Sequence, residues 1–239
     1  MSTILILGSG PSVTICRDWP RGPFDTILAI NNAWAVRPDW DILIHPEDFP
    51  ADRRPTEIGP AQRIVTAADY VPVQNALGGF VYAGGTMAFT AGYWALGALR
   101  PRVMAFLGCD MVYPDRGQTH FYGTGAADPL RADVSLRDLS AKSARLMILA
   151  ARAGCACVNL STEESRLVFP RATPDDVTAA TPQPFDSAAA DAALAEEERL
   201  NYRVPSGRYW EVEDRFAPAA IDALDALWLK AARPSGTAP

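Results

Sequence analysis

Ile4-Leu5-Ile6-Leu7-Gly8-Ser9-Gly10-Pro11-Ser12 decides the reading of this chain, because an unbroken apolar run ends there directly in a glycine turn. Apolar residues without alternation suit a strand covered on both faces, as in a parallel sheet. Backbone N–H groups in the turn after such a strand can face an anion, and Ser9 and Ser12 add hydroxyl donors. Glycine at positions 8 and 10 would let a phosphate or ribose come close to the backbone. The stretch lacks the third glycine of a dinucleotide fingerprint, and no Gly-Lys-Ser/Thr follows, so neither NAD nor a P-loop nucleotide site is supported. An ordinary tight turn is the plain alternative.

Working outward, this first strand-like run spans Thr3 to Leu7, and further ones span Thr26 to Ile30, Asp41 to His45, Arg63 to Ala67, Arg102 to Leu107 and Cys155 to Leu160. One helix is expected after Thr86, which can cap it, and runs to Leu99, with Pro101 stopping its pattern. It is apolar nearly all round and carries Gly92 and Gly97, as a helix packed tightly on a sheet would. A second is expected from Ser135, with Leu136, Leu139, Leu146, Met147 and Ala150 on one face and Gly154 closing it. Alternating strands and helices imply an α/β, Rossmann-like, mostly parallel sheet with helices on both faces. Residues 1–170 would form this nucleotide-binding domain. Residues 171–191, rich in Pro, Ala, Asp and Thr, read as a mobile linker. Residues 192–239 read as a helical tail: an acidic helix from Ala192 to Leu200, then one opened by Pro218 with Ile221, Leu224, Leu227 and Trp228 on one face. That tail could pack on the core, cover the site or join subunits into a homo-oligomer.

In such a sheet, ligands bind at the C-terminal strand ends, so polar residues following the strands are the candidates. Asn31-Asn32 follows the second strand, and paired amides can read a base or ribose edge or simply cap a turn. Gly84-Gly85-Thr86 precedes the first helix and could offer backbone N–H groups and a hydroxyl, or serve only as its cap. Asp110 follows a strand and opens a loop carrying Tyr113, Asp115, Thr119, His120, Phe121, Tyr122 and Thr124. A carboxylate, an imidazole and two phenols there are the groups that general acid–base chemistry requires. His45-Pro46-Glu47-Asp48 has metal-ligand residue types, but such clusters beside a proline are common in loops, and no metal site is assigned.

A net charge of -6, with no basic run, argues against nucleic acid and favours a small ligand. No stretch approaches the roughly 18 to 20 apolar residues of a membrane span, and Ile4 is reached without a basic leader. A cytoplasmic location is therefore expected. Cys16, Cys109, Cys155 and Cys157 contain no Cys-x-x-Cys pair and read as buried hydrophobes.

Taken in order, Gly8 to Ser12, Ala29-Ile30-Asn31-Asn32, Gly84-Gly85-Thr86, Leu107 to Tyr113, Thr119-His120-Phe121 and Val158-Asn159-Leu160-Ser161 resemble the bacterial sialyltransferase family, glycosyltransferase family 42. The same order is similar to related proteins with a pterin pyrophosphokinase-like domain. The resemblance covers roughly Ile4 to Leu167. It implies a metal-independent transferase with a Rossmann-like fold, a CMP-sugar donor, an acceptor glycan or small molecule and no required cofactor. Gly8, Ser9, Gly10, Pro11 and Ser12 would line phosphate and ribose, Asn31 and Asn32 the nucleotide or sugar, and Gly84, Gly85 and Thr86 the cytosine side. Tyr113 and Tyr122 would help the phosphate leave, and a histidine would deprotonate the acceptor. The position matching the family's catalytic histidine falls near Thr124, whereas His120 matches an earlier histidine. Either His120 takes the base role, with Asp110 orienting it or the acceptor, or sialyl transfer is absent. The alternatives are a pyrophosphokinase-like enzyme, with Mg²⁺ on Asp110 or Asp115, and a noncatalytic nucleotide binder.

Overall fold

The computed structural model describes residues 2–113, 118–123 and 132–233. Six strands form one all-parallel sheet: β1 (Thr3–Leu7), β2 (Thr26–Ile30), β3 (Ile42–Ile44), β4 (Arg63–Val65), β5 (Val103–Leu107) and β6 (Ala156–Asn159), ordered β4-β3-β2-β1-β5-β6. This is an α/β, Rossmann-like architecture. The unbroken apolar runs have a simple cause, since successive strand side chains point to opposite faces and both faces are covered. Ile4, Ile6, Met104 and Phe106 join one buried cluster; Leu5, Leu7, Ala105 and Leu107 join another across the sheet.

Strand order reverses between β1 and β5, so the chain leaves β1 to one side and returns on the other. Leu7 is in register with Ala29 of β2 and with Leu107 of β5. The loops beginning at Gly8, Asn31 and Gly108 consequently leave the sheet side by side.

The helices are α1 (Ala67–Ala76), α2 (Phe80–Ala83), α3 (Met87–Trp94), α4 (Leu139–Arg152), α5 (Ser187–Leu200) and α6 (Pro218–Ala231). Thr86 caps α3 as expected, accepting from the Phe89 amide at 3.2 Å. A π-turn continues α3 over Ala95–Leu99, and the chain turns out at Arg100, before Pro101. The α4 helix starts later than its expected start at Ser135. Asp138 is its cap, accepting from the Ser140 and Ala141 amides, while Ser135 belongs to a short turn capped by Asp133. Helix α1, which contains Pro72 and shows no apolar period, was not expected.

Residues 171–186 differ from the mobile linker expected of them. Asn159 pairs through its backbone with Pro170 and Ala172, Val177 is fully buried in the second cluster, and Arg102 donates to the carbonyls of Thr178 and Ala180. Backbone pairing and scattered apolar anchors, Val177 and the partly buried Phe185, hold this stretch, and neither leaves a periodic signal. The following helix begins at Ser187 instead of Ala192, with Asp186 accepting from the Ala189 amide.

Of the three roles open to the tail, packing on the core is what the fold displays. Ile221, Leu224 and Trp228 of α6 bury against Ile148 of α4 and Val81 and Tyr82 of α2. Two buried ion pairs cross this seam, Arg145–Glu197 at 2.6 Å and Lys142–Asp225 at 2.7 Å. Breaking one partner of such a pair typically costs about 3–5 kcal/mol. All four cysteines are buried and free. Among the described residues no helix is long and apolar enough to cross a membrane.

Candidate functional site

At the C-terminal edge of the sheet, outside the β1–β5 reversal, lies a crevice of about 670 Å³, within the usual size range of small-molecule sites. Gly8, Ser9, Gly10, Pro11, Ser12, Asn31, Asn32, Thr86, Asp110, Tyr113, His120 and Tyr122 all line it. Residues dispersed over more than a hundred positions of sequence thus meet at one place. Gly84 and Gly85 do not line it.

The first glycine turn is built differently from its expected use. The Gly8 amide donates to the Leu107 carbonyl and the Gly10 amide to the Gly108 carbonyl, both at 2.8 Å. Neither N–H faces a ligand. A Cβ at Gly8 or Gly10 would run into the Gly108 carbonyl, so these glycines admit the neighbouring strand's backbone. Gly108 itself has φ +68, a conformation that favours glycine. Pro11 starts a 3-10 segment, Pro11–Asp18, and has no N–H. Among the described residues the amides of Ser9 and Ser12 have no hydrogen-bond partner, leaving these two as the turn's donors.

Asn31 adopts φ +51, which asparagine tolerates better than most side chains, and its Oδ1 is buried without a partner among the described residues. A buried acceptor left unpaired costs about 1–3 kcal/mol, so a ligand donor there would be rewarded.

Gly84 is packed against Phe89 of α3 and Lys142 of α4, and Gly85 lies under Tyr209 of the tail. A Cβ on Gly85 would meet the Tyr209 hydroxyl and Ser135 Oγ, and its amide donates to Ser135 Oγ at 2.9 Å. Tyr209 in turn donates to Asp133 Oδ2 at 2.6 Å. The backbone wall expected from these glycines is therefore internal; Thr86 reaches the crevice, although its hydroxyl serves as the α3 cap.

Asp110 is held on both oxygens. Ser12 Oγ donates to Oδ2 at 3.3 Å and Asn159 Nδ2 to Oδ1 at 3.2 Å, while Arg171 Nη1 stands 4.0 Å from Oδ1. Asn159, at the end of β6 and buried, also donates to Ser165 Oγ and accepts from the Ser161 amide. His120 sits in a tight turn, exchanging backbone hydrogen bonds with Gly123, and the Phe121 amide donates to the Ser9 carbonyl at 3.0 Å. That bond ties the histidine loop to the glycine turn. The imidazole stacks on Tyr122, with centroids 5.0 Å apart, and lies 6.3 Å from the Tyr113 ring. Its Nδ1 faces Thr119 Oγ1 at 2.9 Å, so at this nitrogen Thr119 is the side chain that orients the ring. Asp115 and Thr124 lie outside the described residues.

Cys109 also lines the crevice, but burial, with Asp110 adding to it, pushes its thiol well up, so it stays protonated. His45 stands apart, buried, with Nδ1 against the Pro46 carbonyl at 2.8 Å. Among the described residues no three His, Cys, Asp or Glu side chains converge on one point. Sequence reasoning did not single out Phe49, Arg53, Met87, Glu163 or Glu164, which also line the crevice, or give Asn159 a role. The strand-to-loop position of Asn159 was the available signal.

No family model, curated protein or solved structure matches the chain. The crevice must be read from its own chemistry.

Proposed function

We propose that the chain is a nucleotide-sugar-dependent glycosyltransferase of sialyltransferase-like type, moving a sugar from a CMP-sugar donor to an acceptor hydroxyl. The observation that carries this reading is the convergence of neutral donors and acceptors, Ser9, Ser12, Asn31 and Asn32, with the stacked His120–Tyr122 pair and the nearby Tyr113 ring in one crevice. In this reading the amides of Ser9 and Ser12 and the hydroxyl of Ser9 receive phosphate and ribose, while the Ser12 hydroxyl donates to Asp110. His120 takes the proton from the acceptor hydroxyl as its oxygen attacks the anomeric carbon. Tyr113 and Tyr122 donate to the phosphate as the nucleotide departs, where charge grows. Thr119 keeps the ring of His120 in place, and Asp110 organises the floor through Ser12 and Asn159.

The experiment has two stages. A thermal-shift screen of CMP, UDP, GDP, ATP and CMP-sialic acid should single out cytidine ligands, since a ligand at about 100 times its Kd stabilises by roughly 2.7 kcal/mol. Release of CMP from CMP-sialic acid with added acceptor should then fall about 10²–10⁴-fold in His120→Ala. Full turnover in that variant contradicts the role of His120, and tight binding without donor consumption favours the noncatalytic binder.

One observation favours the phosphoryl-transfer reading: Asp110, Glu163 and Glu164 all line the same end of the crevice. Yet both Asp110 oxygens already accept hydrogen bonds, and these carboxylates do not converge on one point. Binding of ATP that disappears with chelator would support this second reading.

A further inference from the structure

Charge is distributed unequally along the crevice. Its β3 side is closed by Phe49 and Arg53, and its β5–β6 side carries Asp110, Glu163 and Glu164. Four strand intervals separate β3 from β6, roughly 19 Å at about 4.8 Å each. That exceeds the ~8 Å screening length at physiological ionic strength, so the two ends act as distinct electrostatic environments. Arg53 is the one Lys or Arg among the described lining residues.

Arg53 and its neighbour Arg54 have opposite uses. Arg54 spends its guanidinium on the loop, with Nη2 donating to the Phe49 carbonyl at 2.6 Å and Nε to the same oxygen at 3.2 Å. Arg53 is fixed through its backbone. Its carbonyl accepts from Trp34 Nε1 at 2.9 Å and its amide donates to the Pro50 carbonyl at 3.1 Å. Its guanidinium has no hydrogen bond or ion pair among the described residues. Arg53 is exposed and lines the crevice with its backbone anchored and its guanidinium unpaired among the described residues, so its charge is open to a group from outside the protein.

We propose that Arg53 receives an anionic group of the ligand, a phosphoryl or a carboxylate, with Phe49 covering the adjoining apolar surface. Guanidinium suits either anion, because its planar fork can donate two parallel hydrogen bonds. The ligand is thereby oriented, anionic substituent toward β3 and away from the three carboxylates. This inference rests on the crevice being the nucleotide site proposed above.

Titration calorimetry of cytidine, CMP and CMP-sialic acid tests it on wild type, Arg53→Gln and Arg233→Gln, the last being an exposed arginine away from the crevice that changes net charge equally. If Arg53 meets the phosphoryl group, Arg53→Gln weakens CMP about tenfold and spares cytidine. If it meets a carboxylate, CMP is spared and CMP-sialic acid alone is weakened. Either loss should shrink as salt rises. Equal losses for all three compounds, or none beyond those of Arg233→Gln, overturn the role of Arg53 and leave the nucleotide site standing. No binding of any compound to wild type overturns both.

Discussion

Gly8-Ser9-Gly10 and Gly84-Gly85-Thr86 look alike on paper, two glycine pairs with a hydroxyl residue, and they end in different environments. The first pair is pressed against the backbone of β5, which leaves Ser9 and Ser12 facing the crevice. In the second, Gly84 is pressed against Phe89 and Lys142 and Gly85 under Tyr209 of the tail, which leaves only Thr86 at the crevice wall. In both cases glycine marks a close approach by protein. The ligand-facing groups are the residues beside the glycines.

Substitutions can break or sharpen that contrast. The largest effect is expected from Gly8→Ala, because the added methyl meets a backbone carbonyl that cannot rotate away; denaturant unfolding should register a loss of about 3 kcal/mol or more, with ligand binding lost too. Gly85→Ala should cost about 1–3 kcal/mol, since Tyr209 and Ser135 are side chains able to shift, and CMP affinity of the folded protein should stay within about threefold. A Gly85→Ala variant that keeps its stability but loses the nucleotide would reverse the contrast. Ser12→Ala should behave oppositely, moving the unfolding midpoint little and weakening CMP about three- to tenfold in calorimetry.

The smallest effect concerns acid. Arg37 donates to the Cys16 carbonyl at 3.0 Å, holding the segment after the first turn, and to both oxygens of Asp39. Hydrogen bonding from Arg37 holds the Asp39 carboxyl below its usual range. A carboxyl lower in the folded state stabilises fully above its unfolded pKa of about 3.9, and that contribution disappears as pH falls through the lower folded value. The stability gap between wild type and Asp39→Asn should therefore be constant near pH 6 and narrow progressively as pH falls below about 3.9, as followed by urea midpoints.

Much of the sheet was legible because buried parallel strands need continuous apolar residues; Thr3–Leu7 and Thr26–Ile30 fall where the sequence places them. The α6 stripe was legible for the same kind of reason, as was the Thr86 cap. Helix α1 was not, since Pro72 and small or polar residues hide any period. Residues 171–186 are held by backbone pairing, Val177 and Phe185, which composition cannot reveal. In the site, the strand-end rule named Ser12, Asn31, Asp110 and His120, which line one crevice, while the covering of Gly85 by Tyr209 depends on a contact between residues 124 positions apart. Arg53 escaped notice because an arginine in a polar loop carries no signal until the loop folds over the crevice.

A crystal structure of the protein with CMP tests the central claim most directly. The account predicts the phosphoryl oxygens within hydrogen-bond distance of the Ser9 and Ser12 amides and a ligand donor on Asn31 Oδ1. CMP seated elsewhere, with the Gly8–Ser12 turn untouched although binding is measurable in solution, would contradict it.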